Sequence, residues 1–107
     1  MMKKTLFEEK TSEIWIKIDI SKHDDSGLVV HGHDLGKSVQ SMKQQDDYEY
    51  FLTISKAETQ ALKTQLGLSD DHDMIDWFIG NFSSHTAISD MKGELNKLGI
   101  TYQFSTR

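Results

Sequence analysis

Apolar and polar residues alternate in two stretches of the first half of the chain, and a third strand-like stretch lies between them. In residues 13–21, isoleucine occupies every second position, and Trp15, Lys17 and Asp19 lie between the isoleucines. Residues 47–54 repeat this period of two, which places successive side chains on opposite faces of a strand. Between these two stretches, residues 27–34 (GLVVHGHD) are typical of a further strand. Turn-forming residues separate it from residues 13–21. We therefore predict an antiparallel hairpin followed by a third strand.

The second half of the chain changes to helical periodicity. Ser55 and Glu58 form a capping box for a first helix, and Gly67 supplies its left-handed stop. A second helix begins at residue 69 or 70, because apolar residues then repeat at the spacing of one buried helical face. The same spacing predicts a third helix over residues 86–98.

A last alternating stretch, residues 100–105, completes the order β-β-β-α-α-α-β. This order predicts an α+β fold, with a four-stranded antiparallel sheet and three helices packed on one face. The last strand lies beside either the first or the third strand, and the pattern does not choose between them. With 107 residues the chain is expected to be a single domain, residues 1–107. Polar residues 1–12 are expected to be a loosely ordered lead-in, and residues 35–46 a long loop.

The parity of the strands divides the sheet into two faces. If Leu28 and Val30 face the core, the open face carries five candidate partner-binding residues: Trp15, His31, His33, Glu49 and Phe51. Aromatic side chains among polar groups are typical of protein interfaces. Alternatively, these aromatics only cover their cross-strand neighbours or lie under the long loop. A register slip of one residue would reverse the two faces.

Charge and composition narrow the classes of function. The net charge is −5 and no basic stripe is present, which argues against direct nucleic-acid binding and favours a basic partner. The alternative is that this charge only maintains solubility. The acidic groups are further candidate contacts: Asp46 and Asp47, and Asp70, Asp71, Asp73 and Asp76. Cysteine is absent, and no apolar run approaches the ~20 residues of a membrane span. We expect a cytoplasmic protein without membrane contact; the sequence does not predict its oligomeric state.

The segment LVVHGHDLGKS contains fragments of two functional motifs. Gly36, Lys37 and Ser38 match the end of a phosphate loop, but the first glycine of that motif would fall on His31. His31 and His33 project from one strand face and are the candidate metal ligands; His23 and Asp19, across the hairpin, are the candidates for a third ligand, but the sequence does not specify one. No catalytic triad or paired-carboxylate spacing accompanies them. We expect no bound metal, no cofactor and no enzymatic activity.

Three segments carry a resemblance to known proteins: residues 32–36 (GHDLG), residues 48–54 (YEYFLTI) and residues 99–104 (GITYQF). With the predicted element order, they resemble small bacterial cytoplasmic proteins, among them the immunity proteins of contact-dependent and other polymorphic toxin systems. The resemblance implies a non-enzymatic inhibitor that binds and neutralises one cognate toxin domain, often a nuclease. The alternative is a small ligand- or metal-binding domain that uses the open sheet face around His31 and His33.

Overall fold

The computed structural model describes residues 2–12, 14–22, 27–36 and 47–107. Its strands are β1 (Met2–Lys10), β2 (Ile14–Lys22), β3 (Leu28–Gly36), β4 (Asp47–Ile54) and β5 (Gln103–Thr106). Its helices are α1 (Lys56–Leu66), α2 (Asp71–Asn81) and α3 (Ala87–Lys97). The strands form one antiparallel sheet in the order β1-β2-β3-β4-β5. The predicted α+β class is confirmed, with five strands instead of four.

The additional strand is β1, and the prediction of a loosely ordered lead-in was wrong. β1 pairs with β2 from Met2 to Lys10. Its alternation is hidden because Leu6 is the only fully buried residue and a bulge shifts the register between Thr5 and Phe7. The strand also carries five charged residues, which suit a sheet edge because they discourage pairing with other chains: Lys3, Lys4, Glu8, Glu9 and Lys10.

The last strand lies beside β4, at the edge opposite β1. It is shorter than predicted, because Ile100 is 5% exposed and packs in the core before β5 begins. A hydrogen bond from the Thr101 amide to Glu58 Oε1, 2.6 Å long, joins the segment before β5 to α1. The predicted long loop begins later than expected, since β3 continues to Gly36, and residues 37–46 lie outside the described residues.

The helices cover one face of the sheet and enclose the core. Leu28 and Val30 of β3 are fully buried on this side, which confirms the predicted parity. They pack in one cluster with residues of the neighbouring strands and of all three helices: Ile18, Ile20, Leu52, Ile54, Leu62, Met74, Phe78, Met91 and Leu95. The opposite face of the sheet therefore presents the alternate residues of β2, β3 and β4.

The predicted helix boundaries follow the capping residues. Ser55 Oγ accepts a hydrogen bond from the Glu58 amide at 3.2 Å, and Gly67 ends α1 with a φ of 70°. Asp70 caps α2, and Gly99 follows α3 with a φ of 73°. In the part of the chain that the structure describes, the helices are too short or too polar to cross a membrane.

Candidate functional site

His31 lies in the middle of the open face. The register places it opposite Asp19 on β2 and opposite Phe51 on β4. Its ring stacks on that of Phe51, with centroids 4.7 Å apart and an angle of 8° between the planes. Its Nε2 lies 2.8 Å from Glu49 Oε2. Because a carboxylate only accepts, Nε2 donates this bond.

Arg107 closes this group of side chains from the far side of β4. Its backbone amide donates to the carbonyl of Glu49 at 2.9 Å, and its Nη1 lies 3.9 Å from Glu49 Oε1. The guanidinium carbon lies 5.2 Å from the centroid of Phe51. His31, Glu49, Phe51 and Arg107 thus form one contiguous set, which we call the His31 cluster. The exposed ion pair itself adds little stability, because water screens it.

Trp15 is held by two residues of β1. Its Nε1 donates to Glu8 Oε2 at 2.9 Å, and the ammonium of Lys10 lies 5.0 Å from the ring centroid. Such a cation–π contact is worth about 0.5–1 kcal/mol at an exposed site. The indole therefore has a defined orientation on the open face.

A small pocket lies between Trp15 and the two histidines. It measures about 70 Å³ and is lined by Trp15, Lys17, Asp19, His31, His33 and Leu35. On its β2 side, Asp19 Oδ1 accepts a hydrogen bond from Thr5 Oγ1 at 2.9 Å. Small-molecule sites usually measure about 300–1,000 Å³. The pocket thus suits an ion or one protein side chain better than a whole metabolite.

His31 and His33 have no complete metal-ligand set around them. Across residues 2–12, 14–22, 27–36 and 47–107, no group of three or more His, Cys, Asp or Glu side chains is placed to hold a metal ion. Their rings lie 6.1 Å apart, and Nε2 of His31 is already in contact with Glu49. His23, a conceivable third ligand, lies outside the described residues.

The acidic residues of α2 are separated from the open face. Asp70 Oδ1 accepts from the Asp73 amide at 2.9 Å, and Asp73 Oδ2 accepts from the Ser69 amide at 3.3 Å. Both carboxylates therefore satisfy backbone donors at the helix N-terminus. Asp76 is exposed one turn further along α2.

Asp71 belongs to a partly buried ion-pair group. Its Oδ1 lies 3.0 Å from Lys63 Nζ, and its Oδ2 lies 3.7 Å from the nearly buried Lys22 Nζ. The hydrogen bond from Lys63 is the main reason that the pKa of Asp71 lies below its ordinary value. Since Lys22 belongs to the core face of β2, this group lies on the helix side of the sheet.

The candidate contacts therefore do not form one surface. Trp15, His31, His33, Glu49 and Phe51 lie together on the open face, and the four aspartates of the acidic group lie with α2 on the other side: Asp70, Asp71, Asp73 and Asp76. Asp47 begins β4, and Asp46 lies outside the described residues.

Three residues that hold the open-face side chains were missed by the sequence reasoning. Glu8 and Lys10 lie on β1, whose alternation gives no signal. Arg107 continues the spacing of two from Thr101 and Gln103, so the last strand contained a signal for it.

A second polar pair lies on the helix side of the sheet. The Tyr50 hydroxyl donates to Asp34 Oδ1 at 3.3 Å. Burial raises the pKa of Asp34, and burial together with the Asp34 carboxylate also raises the pKa of Tyr50. Asp34 thus points away from His31 and His33, and its carboxylate is separate from the pocket.

No family model, curated protein or solved structure matches the chain.

Proposed function

We propose that the chain is a non-enzymatic protein of the immunity type, which neutralises a toxin domain by covering it with the open sheet face. The observation that carries the proposal is the ordered aromatic surface formed by Trp15, His31 and Phe51. Within the described residues, all three helices pack on the other face of the sheet. An ordered aromatic surface beside polar groups is what a protein partner uses for tight contact.

The arrangement of these side chains lowers the entropy lost on binding. Glu8 and Lys10 hold Trp15, while Glu49 and Arg107 hold the stacked rings of His31 and Phe51. Immobilising a mobile side chain at an interface costs about 0.5–1.5 kcal/mol. Side chains that are already ordered avoid most of this cost, so more of the contact energy becomes affinity.

The charge distribution supports a division of roles. Among the described residues of the open face, four cations lie beside three carboxylates, so this face has little net charge: Lys3, Lys10, Lys17 and Arg107 with Glu8, Asp19 and Glu49. The net charge of −5 belongs to the whole chain. It attracts a basic toxin over a distance and raises the encounter rate. The aromatic contacts then supply most of the affinity.

Rescue of bacterial growth tests this function. The toxic C-terminal domain encoded upstream of this gene is expressed in a bacterial host, with or without the chain. We expect the wild type to restore growth and Trp15→Ala/Phe51→Ala to fail, with circular dichroism showing that the variant folds. Asp76→Ala, an exposed change on α2, is the matched control and should restore growth.

Two results would contradict the proposal in different ways. If the wild type does not restore growth, or the upstream gene encodes no secreted protein with a toxic domain, the immunity function is wrong. If the wild type and the double variant restore growth equally, the toxin binds another surface.

A small ligand- or metal-binding role is the second candidate, and the pocket that His31 and His33 share with Trp15 favours it. Titration of Zn²⁺ into the wild type and into His31→Ala/His33→Ala tests the metal version. A rise in melting temperature of the wild type alone would support it. No change in either protein would exclude a zinc site at these histidines.

A further inference from the structure

The two edges of the sheet differ in their protection against pairing. Five charged residues lie along β1, at one edge. β5, at the other edge, consists of Gln103, Phe104, Ser105 and Thr106, all exposed and uncharged. Natural sheets commonly use charged side chains to prevent unwanted pairing at an edge. β5 lacks this protection, although its shortness limits how many hydrogen bonds an added strand can form.

The backbone groups that face outward from β5 follow from the ladder. The Arg107 amide donates to the Glu49 carbonyl at 2.9 Å. In an antiparallel ladder, the residues that bond to one neighbour alternate along the strand. Ser105 therefore also turns its N–H and C=O towards β4, while Phe104 and Thr106 turn theirs outward. Among the described strands, none pairs with this outer side.

Two concave regions flank the segment that leads into β5. One, of about 510 Å³, is lined by Asn96, Gly99, Ile100, Thr101 and Tyr102. The other, of about 170 Å³, is lined by Thr53, Ser55, Glu58, Thr101, Tyr102 and Gln103. A peptide that adds a strand to a sheet gains affinity from its main chain and specificity from pockets for its alternate side chains. The β5 edge offers the main-chain groups, and the two concave regions lie beside the segment that leads into it.

The charges beside β5 indicate the chemistry of the added segment. Lys92 Nζ lies 3.4 Å from the ring centroid of Phe104 on the helix side. The Arg107 side chain stays 73% exposed on the open-face side, despite its contact with Glu49. The Glu58 carboxylate, which lines one concave region, already accepts the Thr101 amide. Cations thus flank the strand on both sides and complement acidic side chains.

We propose that the β5 edge binds an extended, acidic segment of a partner protein, which adds a sixth strand to the sheet. Phe104 and Thr106 supply the outward backbone groups, and Lys92 and Arg107 contact acidic side chains of the segment. This binding goes beyond the proposed function, because its backbone contacts lie at the sheet edge and its partner need not be a toxin; Arg107 is the residue that it shares with the open face.

NMR titration of the ¹⁵N-labelled chain tests this binding. The probe is a capped hexapeptide that alternates glutamate with valine, and its counterpart has lysine in place of glutamate. We expect the glutamate peptide to shift the amides of Phe104 and Thr106, and to bind about tenfold more tightly than the lysine peptide, which corresponds to about 1.4 kcal/mol.

The substitution Thr106→Pro distinguishes binding of the peptide at the β5 edge from binding elsewhere on the protein. Thr106→Pro removes an outward N–H and leaves the ladder to β4 intact, as proline at a sheet edge generally does. We expect it to weaken binding of the glutamate peptide about tenfold, a loss of about 1.4 kcal/mol. The matched control Thr106→Ala keeps the N–H and should bind like the wild type. If Thr106→Pro does not fold, Lys92→Glu/Arg107→Glu takes its place and should favour the lysine peptide.

Several results would overturn the proposal. The first is an absence of amide shifts at millimolar peptide concentration. The second is equal affinity for the two peptides, and the third is equal affinity of Thr106→Pro and Thr106→Ala for the glutamate peptide. Analytical ultracentrifugation of the wild type and Thr106→Pro can give a fourth contradicting result. A dimer that Thr106→Pro abolishes would mean that a second copy occupies this edge instead of an acidic segment.

Discussion

His31 and Phe51 lie directly opposite each other on neighbouring strands, and their rings stack almost in parallel, 4.7 Å between centroids. The flat side of the imidazole covers the phenyl ring, while its Nε2 contacts Glu49. This histidine is therefore an ordered part of the sheet surface. The stacking joins β3 to β4 on the face that we propose for partner binding, so it can be tested without a partner.

Phe51→Ala should lower the free energy of unfolding by about 1–2 kcal/mol, because it removes the stacking on His31 and the contact with Arg107. Urea denaturation measures the loss. In one-dimensional NMR spectra, the ring protons of His31 should also move downfield as the ring current disappears. Thr53→Ala, on the same face of β4, should change stability by less than about 0.5 kcal/mol. Equal stability of the two variants would mean that the stacking does not stabilise the sheet.

The sequence pattern predicted the faces of β2 and β4 because their residues alternate regularly, and the face of β3 followed from assigning Leu28 and Val30 to the core. The pattern therefore predicts that Trp15, His31, His33, Glu49 and Phe51 share one surface, and the structure confirms this. The predicted ends of α1 also agree with the structure, because Ser55 and Gly67 act through local backbone chemistry.

The remaining features depend on contacts distant in sequence. β1 gave no alternation, because it is a charged edge strand with a bulge beside its one fully buried residue, Leu6. Without β1, the contacts of Trp15 with Glu8 and Lys10 could not be predicted. The separation of Asp71 from the open face likewise depends on its pairing with Lys22 across the core side. Neither contact has a local sequence signal.

Gly32→Ala should destabilise the fold by about 1–3 kcal/mol, as overpacking of a well-packed site generally does. Gly32 lies opposite Tyr50, and a Cβ at this position would overlap the Tyr50 ring. The ring cannot move away easily, because it is buried and its hydroxyl is hydrogen-bonded to Asp34. Thermal and urea unfolding measure the loss.

Gly93→Ala is the matched control for this substitution. Gly93 lies inside α3 with open space around the position of a Cβ. Alanine there should raise stability by about 0.5–1 kcal/mol, because it lowers the entropy of the unfolded chain and favours the helix. If the two substitutions changed stability in the same direction, the packing of Tyr50 over Gly32 would not be the cause.

Asp71→Asn should weaken the acid dependence of stability. The Lys63 hydrogen bond, assisted by Lys22, holds the pKa of Asp71 in the folded state below its ordinary value of 3.8. The resulting stabilisation is present above pH 3.8 and is lost as the pH falls through the folded-state pKa. Stability measured from about pH 5 to about pH 2 should therefore fall less steeply in Asp71→Asn than in the wild type. Asp76→Asn, exposed on the same helix, should keep the wild-type slope; equal slopes in all three proteins would contradict the role of Asp71.

Asp34→Asn should change the pH dependence of stability in the opposite direction to Asp71→Asn. Burial raises the pKa of Asp34 above its ordinary value of 3.8, and the Tyr50 hydrogen bond and nearby His33 only partly oppose this effect. The folded state therefore holds the proton more tightly than the unfolded chain. Stability falls as the pH rises from the ordinary pKa of the unfolded chain to the raised pKa of the folded state. Asparagine has no charge to bury and still accepts from Tyr50, so Asp34→Asn should be more stable than the wild type at pH 7. This advantage should disappear at about pH 3, where the wild-type carboxyl is largely protonated. Denaturation at both pH values measures the difference, and lower stability of Asp34→Asn at pH 7 would show that the hydrogen bond to the charged carboxylate outweighs its burial.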